Sequence, residues 1–157
     1  MDRNWDARMA DAEAACERED YGAAFRILLR LAMEGHGPSQ FRLARLFDHG
    51  EGVEEDDALA LGWYLAAALQ GVVEAYWKVG RIYAEGVGVP ADTAKAAYWL
   101  RRSAQHGEAN AQCGLGRLYE LGDGVPRDLR RAIHWYRLAA AQEHRRAIAR
   151  LAVLTDV

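Results

Sequence analysis

"GEGVEEDDALALGWYLAAALQG" spans Gly50–Gly71. Moved 36 residues along the chain it reads "GVGVPADTAKAAYWLRRSAQHG" from Gly86, and after another 36 it reads "GDGVPRDLRRAIHWYRLAAAQE" from Gly122. Gly50, Gly86 and Gly122 align, as do Gly52, Gly88 and Gly124, then Val53, Val89 and Val125. Asp56, Asp92 and Asp128 follow, then Ala60, Ala96 and Ala132, then Trp63, Trp99 and Trp135. A fixed period of this length is the mark of stacked supersecondary units, each too small to bury its own apolar face.

The segment before each glycine loop repeats as well. "SQFRLARLFDHG", "AYWKVGRIYAEG" and "AQCGLGRLYELG" share an apolar residue (Leu43, Val79, Leu115), a small one (Ala44, Gly80, Gly116) and an arginine (Arg45, Arg81, Arg117). Its apolar spacing is helical, which predicts a first helix, A, over 39–49, 75–85 and 111–121. Gly50, Gly86 and Gly122 end it, because glycine adopts the left-handed cap conformation without strain. Asp56, Asp92 and Asp128 cap a second helix, B, over 57–70, 93–106 and 129–142. Pro90 and Pro126 keep the loop from continuing as helix. Val53 and its equivalents plug the loop onto the core, and the three tryptophans pack between repeats. Gly80 and Gly116 sit inside helix A, where glycine costs about 1 kcal/mol against alanine. A cost paid twice implies close approach of helix B, expected near Ala96 and Ala132.

"EDYGAAFRILLRLAMEGHG" matches a further B helix, with Asp20 in the cap slot, and its A helix falls over 5–17. "RRAIARLAVL" near the C-terminus places Ala147 and Leu151 in A-helix slots, as a closing half-unit. The expected layout is one repeat domain, 1–157. A capping helix pair occupies 1–37, repeats occupy 38–73, 74–109 and 110–143, and a capping helix occupies 144–157. Abundant Ala, Leu, Arg and Glu agree with an all-α chain.

Cys16 and Cys113 are the only cysteines, too few and too far apart for a disulfide scaffold, and both are expected as ordinary buried thiols. The mixed-charge start cannot act as a secretory signal, and no apolar run approaches the ~20 residues of a membrane helix. A cytoplasmic protein with no membrane association is expected, unless a leader has been removed. Residues 1–75 hold 15 Asp/Glu against 7 Lys/Arg, and residues 76–157 hold 8 against 13. Chance drift of surface charge accounts for this, or else a bipolar partner or a homodimer joined through exposed ends.

The Leu43/Val79/Leu115 and Ala44/Gly80/Gly116 pairs, Tyr83 and Tyr119, the Gly-x-Gly-Val loops and the Asp…Ala…Trp-Tyr…Ala-Ala run of helix B resemble Sel-1-like repeats. These are relatives of tetratricopeptide repeats with a longer inter-helix loop. The resemblance covers residues 38–143. It implies a right-handed α/α superhelical solenoid of helix-turn-helix repeats, a non-catalytic scaffold or adaptor that binds a partner protein or peptide on a concave surface. Bacterial members include regulators, virulence-associated adaptors and immunity proteins that neutralise secreted toxins, and the last is the alternative reading. A secreted, cysteine-rich branch is linked to β-lactam binding or hydrolysis. Its paired cysteines are missing here, since Phe41 and Trp77 hold the slot of Cys113.

In such a stack the A helices line the concave side. Helical spacing puts Phe41, Arg45, Asp48 and His49 there, then Trp77, Arg81 and Glu85, then Cys113, Arg117 and Glu120. The three arginines are expected as forks for carboxylates or carbonyls, with Phe41 and Trp77 as apolar anchors. The plainer alternative is that each arginine pairs with a Glu or Asp of the adjacent helix, such as Glu85 or Glu120. A one-residue shift would also exchange Trp77 with Tyr76 as the exposed ring.

Chemistry finds little support. The histidines His36, His49, His106, His134 and His144 lack metal-ligand spacing and no Cys-x-x-Cys occurs, so no metal and no cofactor are expected. No nucleophile elbow, phosphate loop or dinucleotide fingerprint is present. Arginines cluster toward the C-terminus, but the net charge of −3 is unlike a nucleic-acid module, and no nucleic-acid partner is expected.

Overall fold

The computed structural model describes residues 4–155; residues 1–3 and 156–157, the two ends of the expected capping segments, lie outside the described residues. The described residues form nine helices and no strand. The chain divides into two compact units, residues 1–75 and 76–157.

Unit 1 holds α1 (Trp5–Glu17), α2 (Tyr21–Met33), α3 (Gly37–His49) and α4 (Asp57–Leu69), each packed on the next in chain order. Its core is Ala12, Leu28, Ala32, Leu43 and Leu46, with Val53 and Trp63 against it. The helix α5 (Val73–Glu85) contains the unit boundary, with its residues from Tyr76 onward in unit 2. Unit 2 continues with α6 (Thr93–Gln105), α7 (Ala109–Leu121), α8 (Leu129–Ala140) and α9 (Arg145–Thr155). Its core includes Ala96, Leu100, Leu115, Ala132 and Tyr136, with Val125, Trp135 and Leu151 against it.

The predicted caps form. Asp20, Asp56, Asp92 and Asp128 accept from the backbone N–H of Ala23, Leu59, Lys95 and Arg131 at 3.0, 2.8, 2.9 and 3.1 Å. That bond holds the Asp92 carboxyl below the usual carboxylate range. Helices α3, α5 and α7 each begin two residues earlier than the periodicity suggests. At α3 the reason is Pro38, which reads as a helix breaker but fits the first turn, where no N–H partner is needed.

The loop glycines do two different jobs. Gly50, Gly86 and Gly122 take positive φ of 65, 72 and 72° and end the A helices. Gly52 and Gly124, the second glycines of the first and third pairs, answer to a neighbour. A Cβ on Gly124 would overlap the backbone of Thr93, the first residue of α6, and one on Gly52 would overlap Tyr21, the first residue of α2. The first and third loops therefore seat on the N-terminus of the B helix before them.

The in-helix glycines are explained differently from expectation. The neighbours of Gly80 and Gly116 are Leu100 and Tyr136, not Ala96 and Ala132. An added Cβ would lie 2.8 Å from Leu100 Cγ and 3.0 Å from the Tyr136 ring. The helices approach one turn further along α6 and α8, so the residue after the tryptophan, Leu100 or Tyr136, faces the glycine. Tyr64 and Tyr136 are 0% and 1% exposed, while Trp63 and Trp135 are half-buried.

Candidate functional site

In unit 2 the helices α5, α7 and α9 border a groove of about 700 Å³. Trp77 and Arg81 come from α5 with Ala84 and Glu85, Cys113 and Arg117 from α7 with Glu120 and Leu121, and Arg146 and Arg150 from α9 with Ala149. All six residues that sequence spacing assigned to this side of unit 2 line it. The structure also settles the ring order: Tyr76 is buried and Trp77 is half-buried at the groove.

Helix α9 was expected only to cover the last apolar face. It does pack there through Ala147, but it also supplies two arginines to the groove. Their register would have revealed them. Arg146 and Arg150 stand 36 residues after Asn110 and Gly114, which line the same groove.

The charges in the groove are not equally free. Arg81 donates to Glu85 at 3.4 Å, one turn on along its own helix, where the plainer alternative expected a pair between adjacent helices. Glu120 does not pair with Arg117. Its carboxylate accepts the Tyr136 hydroxyl proton at 2.8 Å and is forked by Arg150, whose Nε lies at 3.1 Å. Three helices are thereby tied at one carboxylate, and Glu120 is a brace rather than an open acceptor. Among the described residues Arg117 and Arg146 make no ion pair. Four arginines face two glutamates, so the groove carries an excess of two positive charges beside Trp77 and the 57%-exposed Leu121.

Burial pushes the Cys113 thiol up despite Arg146 and Arg117 nearby, so it stays protonated and is a poor nucleophile. Burial likewise raises the Cys16 thiol. Both cysteines are free and half-buried. Among the described residues no group of His, Cys, Asp and Glu could hold a metal ion.

Burial also pushes Tyr136 up to about 12. Below pH 10 the phenol is neutral in folded and unfolded chains alike. Between about pH 10 and 12 the unfolded chain releases this proton first, so stability falls as pH rises through that window. Urea midpoints measured from pH 9 to 12 are expected to drop, and less steeply in Tyr136→Phe.

In unit 1 the assigned residues are arranged differently. Tyr64 donates to Asp48 at 2.9 Å and its ring lies 5.4 Å from that of Phe41, so Asp48 matches Glu120 and Tyr64 matches Tyr136. The middle repeat has Ala84 and Leu100 at these two positions. Carboxylate and tyrosine are kept or lost together, as a buried hydroxyl needs its acceptor. The exposed His49 makes a 2.9 Å hydrogen bond between Nδ1 and the Arg45 carbonyl. Arg45 lines a smaller groove of about 280 Å³ with Cys16, Tyr21, Arg42 and Glu51.

Residues 37–72, 73–108 and 109–144 each match the family model described as Sel1 repeat. The chain belongs to the Sel1 repeat family. The matched Sel1 frames start at the first residues of α3, α5 and α7, one residue before the frames expected from the loop pattern. Among solved structures, the chain is similar to a Sel1 repeat protein from Oxalobacter formigenes, with 29% identity and a TM-score of 0.85 over 94% of this chain and 61% of that one. It is also similar to a protective antigen of uropathogenic Escherichia coli strains that displays an SLR fold, with 32% identity and a TM-score of 0.86 over 96% of this chain and 33% of that one. The chain thus spans less than two thirds of the length of either. Comparison with curated proteins returns no match. The fold is the all-α Sel1 solenoid of helix-turn-helix repeats, and Sel1 repeat proteins are generally non-catalytic scaffolds that bind protein partners.

Proposed function

We propose that this protein is a non-catalytic adaptor that holds an acidic segment of a partner protein in the groove bordered by α5, α7 and α9. The observation that carries the reading is Arg117 and Arg146, two guanidinium groups without ion pairs at one groove, beside the apolar surfaces of Trp77 and Leu121. A guanidinium presents a planar fork that matches a carboxylate. Exposed aromatic and aliphatic side chains between such forks supply anchors for an apolar residue of the same segment. The protonated Cys113 thiol supports binding without turnover.

The test is selection from a displayed random-peptide library on the intact protein. Enrichment of peptides with two or more Asp/Glu around an apolar residue is expected. Their affinity should fall at least about tenfold for the Arg117→Glu, Arg146→Glu double variant, since each like-charge contact now repels. Enriched peptides that bind the double variant as well as the original protein would refute the assignment.

A further inference from the structure

Away from the groove, three helices of unit 2 bring hydrogen-bond donors together around one phenol. Tyr119 on α7 is 3% exposed. Its hydroxyl oxygen accepts from Arg101 of α6 at 2.8 Å and from Arg131 of α8 at 3.3 Å, and the Arg131 guanidinium also lies over its ring at 5.5 Å. A phenol has two acceptor lone pairs and one proton. Both lone pairs are taken, and none of the described residues accepts the proton. None of the three residues lines the groove.

The scaffold does not require this arrangement. Two periods earlier in the chain the same three positions are Leu29, Phe47 and Leu59, all apolar. Leu29 and Phe47 simply pack on the core there. Two cations aimed at one oxygen repel each other, and among the described residues the only carboxylate paired with either is Asp128, 3.3 Å from Arg131. Arg101 has no ion pair among the described residues, and the Arg131 side chain is 65% exposed, so several N–H donors of both forks remain open to solvent.

We propose that Arg101, Tyr119 and Arg131 form a binding site for a phosphate group. Two forks and a phenolic O–H arriving from three helices suit a tetrahedral dianion with several acceptor oxygens better than a single planar carboxylate. The phosphate comes either as the free ion or as a phosphorylated residue of a protein.

Arginine Nε–H resonances of the isotopically labelled full chain report this directly. Titration with inorganic phosphate at constant ionic strength, with chloride as the balancing salt, is expected to shift the Arg101 and Arg131 signals saturably. A phosphoserine peptide forms the second arm. Tighter binding of the peptide identifies a phosphorylated segment as the source, and equal binding identifies the free ion. The Arg101→Leu, Arg131→Leu and Tyr119→Phe variants copy side chains that the scaffold already holds at Leu29, Leu59 and Phe47. The double arginine variant is expected to weaken both arms at least about tenfold with an unchanged melting curve. Three outcomes would overturn the site: no saturable shift in either arm, equal response to chloride, or shifts confined to Arg117 and Arg146. The last would return phosphate to the groove, so failure here stays separate from failure of the peptide reading.

Discussion

Tyr136→Ala lowers the stability of the protein by about 4 kcal/mol, the expected range for emptying a fully buried aromatic site. The ring is 1% exposed and packs over Gly116, where an added Cβ would lie 3.0 Å from it. Glycine offers no side chain to refill the space, so the cavity persists. The hydroxyl adds a bond to Glu120, which also holds Arg150 of α9. Tyr136→Phe separates the two contributions. It keeps the ring and leaves Glu120 with Arg150, so about 1 kcal/mol is expected for the lost hydrogen bond. Urea unfolding of the two variants checks both figures. Equal losses would mean that the hydroxyl, not the ring, holds α7 to α8.

Gly124→Ala is the second large effect, about 3 kcal/mol or more. Two causes add. The residue sits at φ 69°, where a side chain is strained. The new Cβ also meets the Thr93 carbonyl group and the Ala94 nitrogen, which are backbone atoms of a helix start and cannot rotate away. Gly107→Ala is the control. Its φ is 89° and nothing lies within 4 Å of the added Cβ, so only the strain of about 1 kcal/mol remains. Thermal melts of the two variants should differ clearly, with Gly124→Ala far the lower. A similar loss in both would show that the loop does not seat on α6.

Much of the candidate site could be read before any coordinates. The period puts Trp77, Arg81 and Glu85 one repeat before Cys113, Arg117 and Glu120, and helical spacing puts each trio on one face. Arg146 and Arg150 escape the loop pattern, because no glycine loop follows α9 in the described residues to mark its register. The pairing of each charge was not legible beyond naming Glu85 and Glu120 as candidate acceptors. Arg81 with Glu85 is a local pair on one helix, while Glu120 reaches Tyr136 and Arg150, 16 and 30 residues away.

By itself the sequence determined what acts within a few residues: the 36-residue period, the aspartate caps, the glycine stops and the helical faces. These follow from backbone hydrogen bonding and side-chain periodicity, which need no distant partner. Only the tertiary structure decided which side chain fills the space over Gly80 and Gly116, why the second loop glycine is needed, and which donors gather at Tyr119. Those outcomes depend on where helices cross, and a crossing point shifted by one turn exchanges every neighbour while leaving the repeat pattern unchanged.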